Sequence, residues 1–263
     1  MTSPALECRA VSKSFEGVRA VEDVSIAVPP GSLCALIGPN GAGKTTLFNV
    51  ATNLFPPTSG EVLFFGRPAA GRAPHQIAAD GVIRTFQTAR VFPGMTTLEN
   101  VMAGAHLHIR AGALAQMLWT GAARREERAL AAKAEALLDM VRLADARDRA
   151  TTDLPIGAQK LVEIVRALMA GPRLLLLDEP AAGLNDRETA ELAELLRAIR
   201  DAGTTILVVE HNMSLVMGVA DQVFVLDAGR LIAHGSPHDI QRDQQVIEAY
   251  LGRAPTPAKP EAP

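Results

Sequence analysis

The sequence predicts an α/β fold with a mostly parallel core sheet, an antiparallel β layer and an inserted helical subdomain. Three observations carry this. Short apolar runs alternate with helical periodicity along much of the chain, two long strand-like segments open it, and strand signals vanish between about Thr88 and Thr152. The chain's 263 residues are enough for one large domain with a sizeable core.

The elements follow in order. Leu6 to Phe15 and Val18 to Val28 read as strands, closed by the breaker Pro29-Pro30-Gly31. Ser32 to Ile37 is a compact apolar run of the buried-strand kind, and it leads through a glycine-rich turn into a helix from about Lys44 to Leu54. After Pro56-Pro57-Thr58-Ser59-Gly60 comes another strand-like stretch, Glu61 to Phe65. In the strand-free region Leu130, Ala134, Leu137, Leu138 and Val141 recur at helical spacing, following the charged run Arg124 to Arg128. Strands return at Leu174 to Leu177, Thr204 to Val209 and Gln222 to Leu226, alternating with a helix whose Leu192, Leu195, Leu196 and Ile199 share one face. Asp227-Ala228-Gly229 reads as a hairpin turn into Arg230 to His234. The expected organisation is one domain over 1–252, with a core of 1–87 and 153–252 and a helical insert over 88–152. A proline-rich tail over 253–263 is expected to be disordered.

Composition narrows the function. An apolar share of 48% and a charged share of 21% argue against global disorder, a collagenous repeat or a disulfide scaffold. With 26 basic against 29 acidic residues the net charge is −3, so there is no broad basic field for nucleic acid and no nucleic-acid partner is expected. Any anion site must be local. Cys8 and Cys34 are too few and too far apart for a disulfide framework or a metal motif, and buried reduced thiols are expected. No signal peptide is read at Met1 to Ala10, and the richest apolar stretch, Leu174 to Leu177, stops at Asp178, short of a membrane span.

The local anion site is explicit. Gly38-Pro39-Asn40-Gly41-Ala42-Gly43-Lys44-Thr45, followed by Thr46, fits G-x-x-x-x-G-K-[ST] and lies between a predicted strand and a predicted helix. Glycines let successive backbone N–H groups point into one concavity, and the helix N-terminus adds positive potential. Lys44 is placed to bridge β- and γ-phosphates, and Thr45 to ligate Mg²⁺. A second half comes from Leu174-Leu175-Leu176-Leu177-Asp178-Glu179: an apolar strand delivers Asp178 to the metal, and Glu179, where the chain is already turning, can face an attacking water.

These motifs, with Gln87, the segment Leu154-Pro155-Ile156-Gly157-Ala158-Gln159-Lys160 and His211, resemble the ABC-type ATPase cassette, a P-loop NTPase, over about residues 5–252. The resemblance implies two cassettes meeting head to tail, with ATP between one P-loop and the other's signature segment. It gives Phe15 an adenine-stacking role, Gln87 contact with Mg²⁺ and water, and His211 contact with the γ-phosphate, and it sets Gly157 and Gln159 against the second cassette's nucleotide. The signature departs from the usual Leu-Ser-Gly-Gly-Gln, since Pro155 replaces the serine, and Asn185 stands where the D-loop usually has aspartate.

Closer likenesses run through Ile83 to Phe92, Glu179 to Asn185, Glu210-His211-Asn212-Met213 and Val246 to Gly252. Together they resemble the longer ATPase subunit of bacterial branched-chain amino-acid importers. That likeness implies ATP and Mg²⁺ as cofactors and two integral membrane permeases as partners, with a second ABC ATPase or a second copy of this chain. A periplasmic substrate-binding protein is an indirect partner, and the site of action is the cytoplasmic face of the inner membrane. Urea- or amide-type importers and the lipopolysaccharide exporter of the same clade are the nearest alternatives. Soluble ABC ATPases, which resemble fused double cassettes or carry long coiled coils, differ from this chain with its one Walker A motif. The loop with Arg90, Phe92, Pro93 and Met95 is the expected contact for a membrane partner.

Overall fold

The computed structural model describes residues 3–85, 91–107, 117 and 120–251. The expected disordered tail, from residue 253 onward, lies outside these. Strands β1 (Leu6–Phe15) and β2 (Val18–Val28) form as the sequence predicts and pair antiparallel. β4 (Ser59–Phe64) pairs antiparallel on the other edge of β1. It ends one residue earlier than Glu61–Phe65 suggests, because Phe65 (φ 50°) and Gly66 (φ 77°) turn the chain left-handed into the short β5 (Arg67–Pro68). This four-stranded layer has the order β2-β1-β4-β5.

The second sheet has the order β10-β9-β3-β8-β7-β6. Its members are β3 (Leu33–Ile37), β6 (Val82–Arg84), β7 (Leu174–Asp178), β8 (Thr205–Val209), β9 (Gln222–Asp227) and β10 (Arg230–Gly235). All pair in parallel except β10, which the Asp227-Ala228-Gly229 turn folds back on β9, with Ala228 and Gly229 both at positive φ. β3, β7 and β8 are buried along their whole length, as a sheet covered on both faces requires.

Period-two alternation sorts these strands between two cores. Cys34, Leu36, Leu174, Leu176, Leu207 and Val209 face the antiparallel layer and α1 (Lys44–Ala51), where Leu47 and Phe48 are fully buried. Leu33, Ala35, Ile37, Leu175, Leu177, Ile206 and Val208 face the helices of the other side. Helix α1 is shorter than Lys44 to Leu54, because Asn53 adopts φ 56° and the Leu54 N–H turns back to the Asn49 carbonyl at 2.8 Å, a left-handed C-terminal stop.

Two short helices are α2 (Pro74–Ala79) and α3 (Thr97–Met102), and the latter is opened by a capping box from Thr96 and Glu99. The apolar face of α4 (Gly121–Met140) buries Ala134 and Leu138 completely. α5 (Ile156–Met169) is shared: Leu161, Ile164 and Ala167 enter the sheet core, whereas Val162, Val165 and Met169 join Val101, Ala105, Ala134 and Leu138 in a third cluster. Then follow α6 (Asp186–Asp201), α7 (Met213–Val219), α8 (Pro237–Ile240) and α9 (Gln244–Leu251). Both cysteines are buried free thiols, with burial pushing Cys8 up to about 12 and Cys34 up to about 11. No helix of the described residues is long and apolar enough to cross a membrane.

Candidate nucleotide site

The turn between β3 and α1 is built on glycines that no other residue replaces cheaply. Gly43 has φ 93°, and a Cβ there would lie 2.4 Å from the Ala20 carbonyl oxygen; at Gly38 it would lie 2.1 Å from that of Leu226. The loop is thereby seated between β2 and the β9–β10 turn. The Gly229 N–H donates to the Ala42 carbonyl at 3.0 Å, and the Glu22 N–H to the Gly229 carbonyl at 2.8 Å.

Lys44, the first residue of α1, is 8% exposed, and its Nζ donates to the carbonyls of Gly38 at 2.7 Å and Pro39 at 2.9 Å. Burial pulls its pKa below the usual lysine value, and the Glu179 carboxylate partly offsets this. Asn40, Gly41, Ala42, Gly43, Lys44, Thr45, Thr46 and Glu179 line one cleft of about 550 Å³, joined by residues from β2 and the β9–β10 turn. A cleft lined by a helix N-terminus, the backbone of Gly41 to Gly43 and one ammonium suits an anion.

At the end of β7, Asp178 is 7% exposed and its Oδ2 accepts from Arg84 at 3.1 Å. Burial raises its pKa, and the Arg84 guanidinium works against that. Arg84 also donates to Asn49 Oδ1 at 2.8 Å and Thr52 Oγ1 at 2.7 Å and lies over the Phe48 ring. It thus ties β6 to the end of α1 and to Asp178. Glu179 turns left-handed at φ 47°, and its Oε2 lies 3.9 Å from His211 Nδ1. The backbone around it is held by two charged groups: the Lys160 ammonium donates to the carbonyls of Glu179, Pro180 and Ala182, and the buried Glu210 accepts from the Ala181 N–H at 2.7 Å.

Of the other expected site residues, Phe15, Gly157 and Gln159 are not part of the cleft lining. Phe15 is 43% exposed, set edge-on to Phe55 with ring centres 6.1 Å apart and with Lys13 Nζ 5.1 Å from its own ring centre, so it is a surface aromatic rather than a core one. Gly157 and Gln159 sit in the first turn of α5. A Cβ on Gly157 would collide with Glu188, and Gln159 Nε2 donates to the Leu154 carbonyl at 2.9 Å. Gln87 and Arg90 lie outside the described residues. Phe92 and Met95 are exposed, and Asn100 organises the loop between them by accepting from the Phe92 N–H and donating to Thr151 Oγ1. Sequence reasoning missed the supports: Arg84, Lys160 and Glu210 stand within or beside quoted motifs, yet only a charge set next to apolar runs hints that each must find a partner.

Comparison with known proteins finds relatives over nearly the whole chain. Residues 21–182 match the family model described as ABC transporter, and residues 230–255 match that of the branched-chain amino acid ATP-binding cassette transporter. The chain is 40% identical to the high-affinity branched-chain amino acid transport ATP-binding protein LivG of Escherichia coli K12, covering 97% of this chain and all of that one. The high-affinity branched-chain amino acid transport ATP-binding protein BraF of Pseudomonas aeruginosa is 41% identical over the same share of this chain and all of its own. Among solved structures, the ADP conformation of the ATP-binding cassette MJ1267 superposes with a TM-score of 0.80 at 30% identity, covering 96% of this chain and all of that one.

Proposed function

The chain belongs to the ABC transporter ATP-binding family, and from that premise we propose that it powers import of branched-chain amino acids by binding and hydrolysing ATP. The observation that carries the substrate is the 40–41% identity to LivG and BraF over 97% of the chain, joined by the C-terminal match at 230–255. Nothing in the cleft contacts an amino acid in this reading; the cargo is chosen by partners. Two permeases at the cytoplasmic face of the membrane, with a second ABC ATPase or a second copy of this chain and a periplasmic binding protein beyond, complete the machine. The exposed Phe92 and Met95, with Arg90, supply the permease contact.

Within the cleft, the N–H groups of Gly41 to Thr46 and the Lys44 ammonium take the phosphates. Lys44 exchanges its two carbonyl partners for phosphate oxygens. Phe15 offers an exposed ring for the adenine, and Gly157 and Gln159 serve the nucleotide of the second cassette. Magnesium binds through one or two carboxylates together with substrate phosphates, and Asp178 with the Thr45 hydroxyl matches that donor set, Gln87 joining them. Bound there, the metal neutralises charge on the phosphate oxygens. Glu179 accepts the proton of the attacking water, and His211, beside it, donates to the γ-phosphate.

The test is Glu179→Gln, which keeps size and polarity but not proton affinity. Turnover falls by about 10²–10⁴-fold while ATP stays bound, read as steady-state ATPase rate beside nucleotide retention on gel filtration. Turnover near that of the parent chain removes Glu179 as the base.

A further inference from the structure

We propose that Glu210 is a positioning residue for hydrolysis: its carboxylate ties the loop that carries Glu179 to the loop that carries His211 and so sets the distance between those two side chains. This rests on the reading of Glu179 as general base and His211 as γ-phosphate contact.

Glu210 follows β8 and is completely buried. Its Oε1 accepts the N–H of Ala181 at 2.7 Å, in the loop after β7. Its Oε2 accepts the N–H groups of His211 at 3.0 Å and Asn212 at 3.1 Å, at the start of the next loop. One anion thus holds three backbone donors drawn from two loops, the arrangement that makes a buried carboxylate tolerable. The strands beneath are already in register, since the Glu179 N–H donates to the Val209 carbonyl at 2.9 Å. Lys160, whose ammonium feels the Glu210 charge, donates to the carbonyls of Glu179, Pro180 and Ala182. The peptide groups after Glu179 therefore have their carbonyls on a cation and an amide on an anion, which fixes the orientation of the turn.

That matters because side-chain burial does little to seat His211. The His211 side chain is 58% exposed, and Glu179 is held at φ 47°, a conformation its neighbours must enforce. With little to seat the imidazole, its position follows from its backbone, and its backbone follows from Glu210. The spacing of 3.9 Å between Nδ1 and Oε2 is then a property of the shared carboxylate.

Glu210→Gln in the full-length chain separates positioning from mere folding. The amide keeps one acceptor but presents a donor to N–H groups that need an acceptor. The expected result is a kcat lower by about 10- to 100-fold, because a misplacement of about 1 Å costs on the order of 10²-fold, with MgATP affinity within about twofold of the parent. Normal kcat in the folded variant overturns the proposal, and so does a fall in kcat matched by a fall in MgATP affinity. A second measurement needs no variant. Residue-resolved amide exchange of the parent chain should show Ala181, His211 and Asn212 opening with one common protection, and unrelated protection of Ala181 and the other two overturns the tie. Glu179→Gln assayed in parallel keeps the readings distinct: unchanged turnover there sinks the assignment of the base whatever Glu210 does, whereas lost turnover there with normal Glu210→Gln sinks only the present inference.

Discussion

Replacing Lys44 by methionine keeps most of the apolar stem and removes the ammonium, so it isolates what the charge contributes. In the structure that ammonium donates to two carbonyls, at 2.7 and 2.9 Å, from a residue only 8% exposed. Hydrogen bonds to a charged group contribute about 1.5–3 kcal/mol each. Binding of a triphosphate replaces carbonyl partners by anionic oxygens, so the loss on removing the cation is the difference between two bonded states. About 2–4 kcal/mol is a reasonable range for two such exchanges, and at about 1.4 kcal/mol per decade it weakens MgATP binding roughly 30- to 1,000-fold. Stability changes less than binding does, because burial already opposes the charged amine. A net effect within about 1 kcal/mol corresponds to a Tm shift of about 2–4 °C. Isothermal titration with MgATP and thermal unfolding followed by circular dichroism read the two quantities side by side. A folded Lys44→Met variant whose Kd stays within about threefold of the parent refutes the argument, and a large loss of Tm makes the lysine structural instead.

Arg84→Ala leaves Asp178 buried without its guanidinium partner and strips Asn49 and Thr52 of a donor, so urea unfolding should show a loss of about 3–5 kcal/mol. Leu138→Ala opens a cavity in the cluster shared by α3, α4 and α5 and should cost about 2–5 kcal/mol by the same measurement. Cys8 and Cys34, with thiol pKa values raised to about 12 and about 11, should resist a thiol-specific disulfide reagent at pH 8 in the native protein and react fully once it is denatured. Gly43→Ala forces a Cβ to 2.4 Å from the Ala20 carbonyl oxygen at φ 93°, and nucleotide titration should show binding lost while α1 persists by circular dichroism.

What the sequence by itself determined is the chemistry that lies within a few consecutive residues. The Gly38–Thr46 loop is legible because its glycines, lysine and threonines act through backbone geometry and a helix start that are local. β1 and β2 were legible to the residue because alternation and a turn signal bound them, and the helical face of Leu130 to Val141 because its period repeats over several turns. The helices α2, α7 and α8 were not, since six, seven and four residues span too few turns for a period to show. Nor did the family resemblance say what supports each motif. That Arg84 would hold Asp178, 94 positions away, that Glu210 would clasp the Ala181 amide, and that Ala20 and Gly229 would close on Gly43 depend on the sheet order β10-β9-β3-β8-β7-β6 and on the layer stacked beneath it. Only the tertiary structure decides such pairs. A buried charge announces that it needs a partner but not which one, and the answer is set by which strand ends the sheet brings within hydrogen-bonding distance.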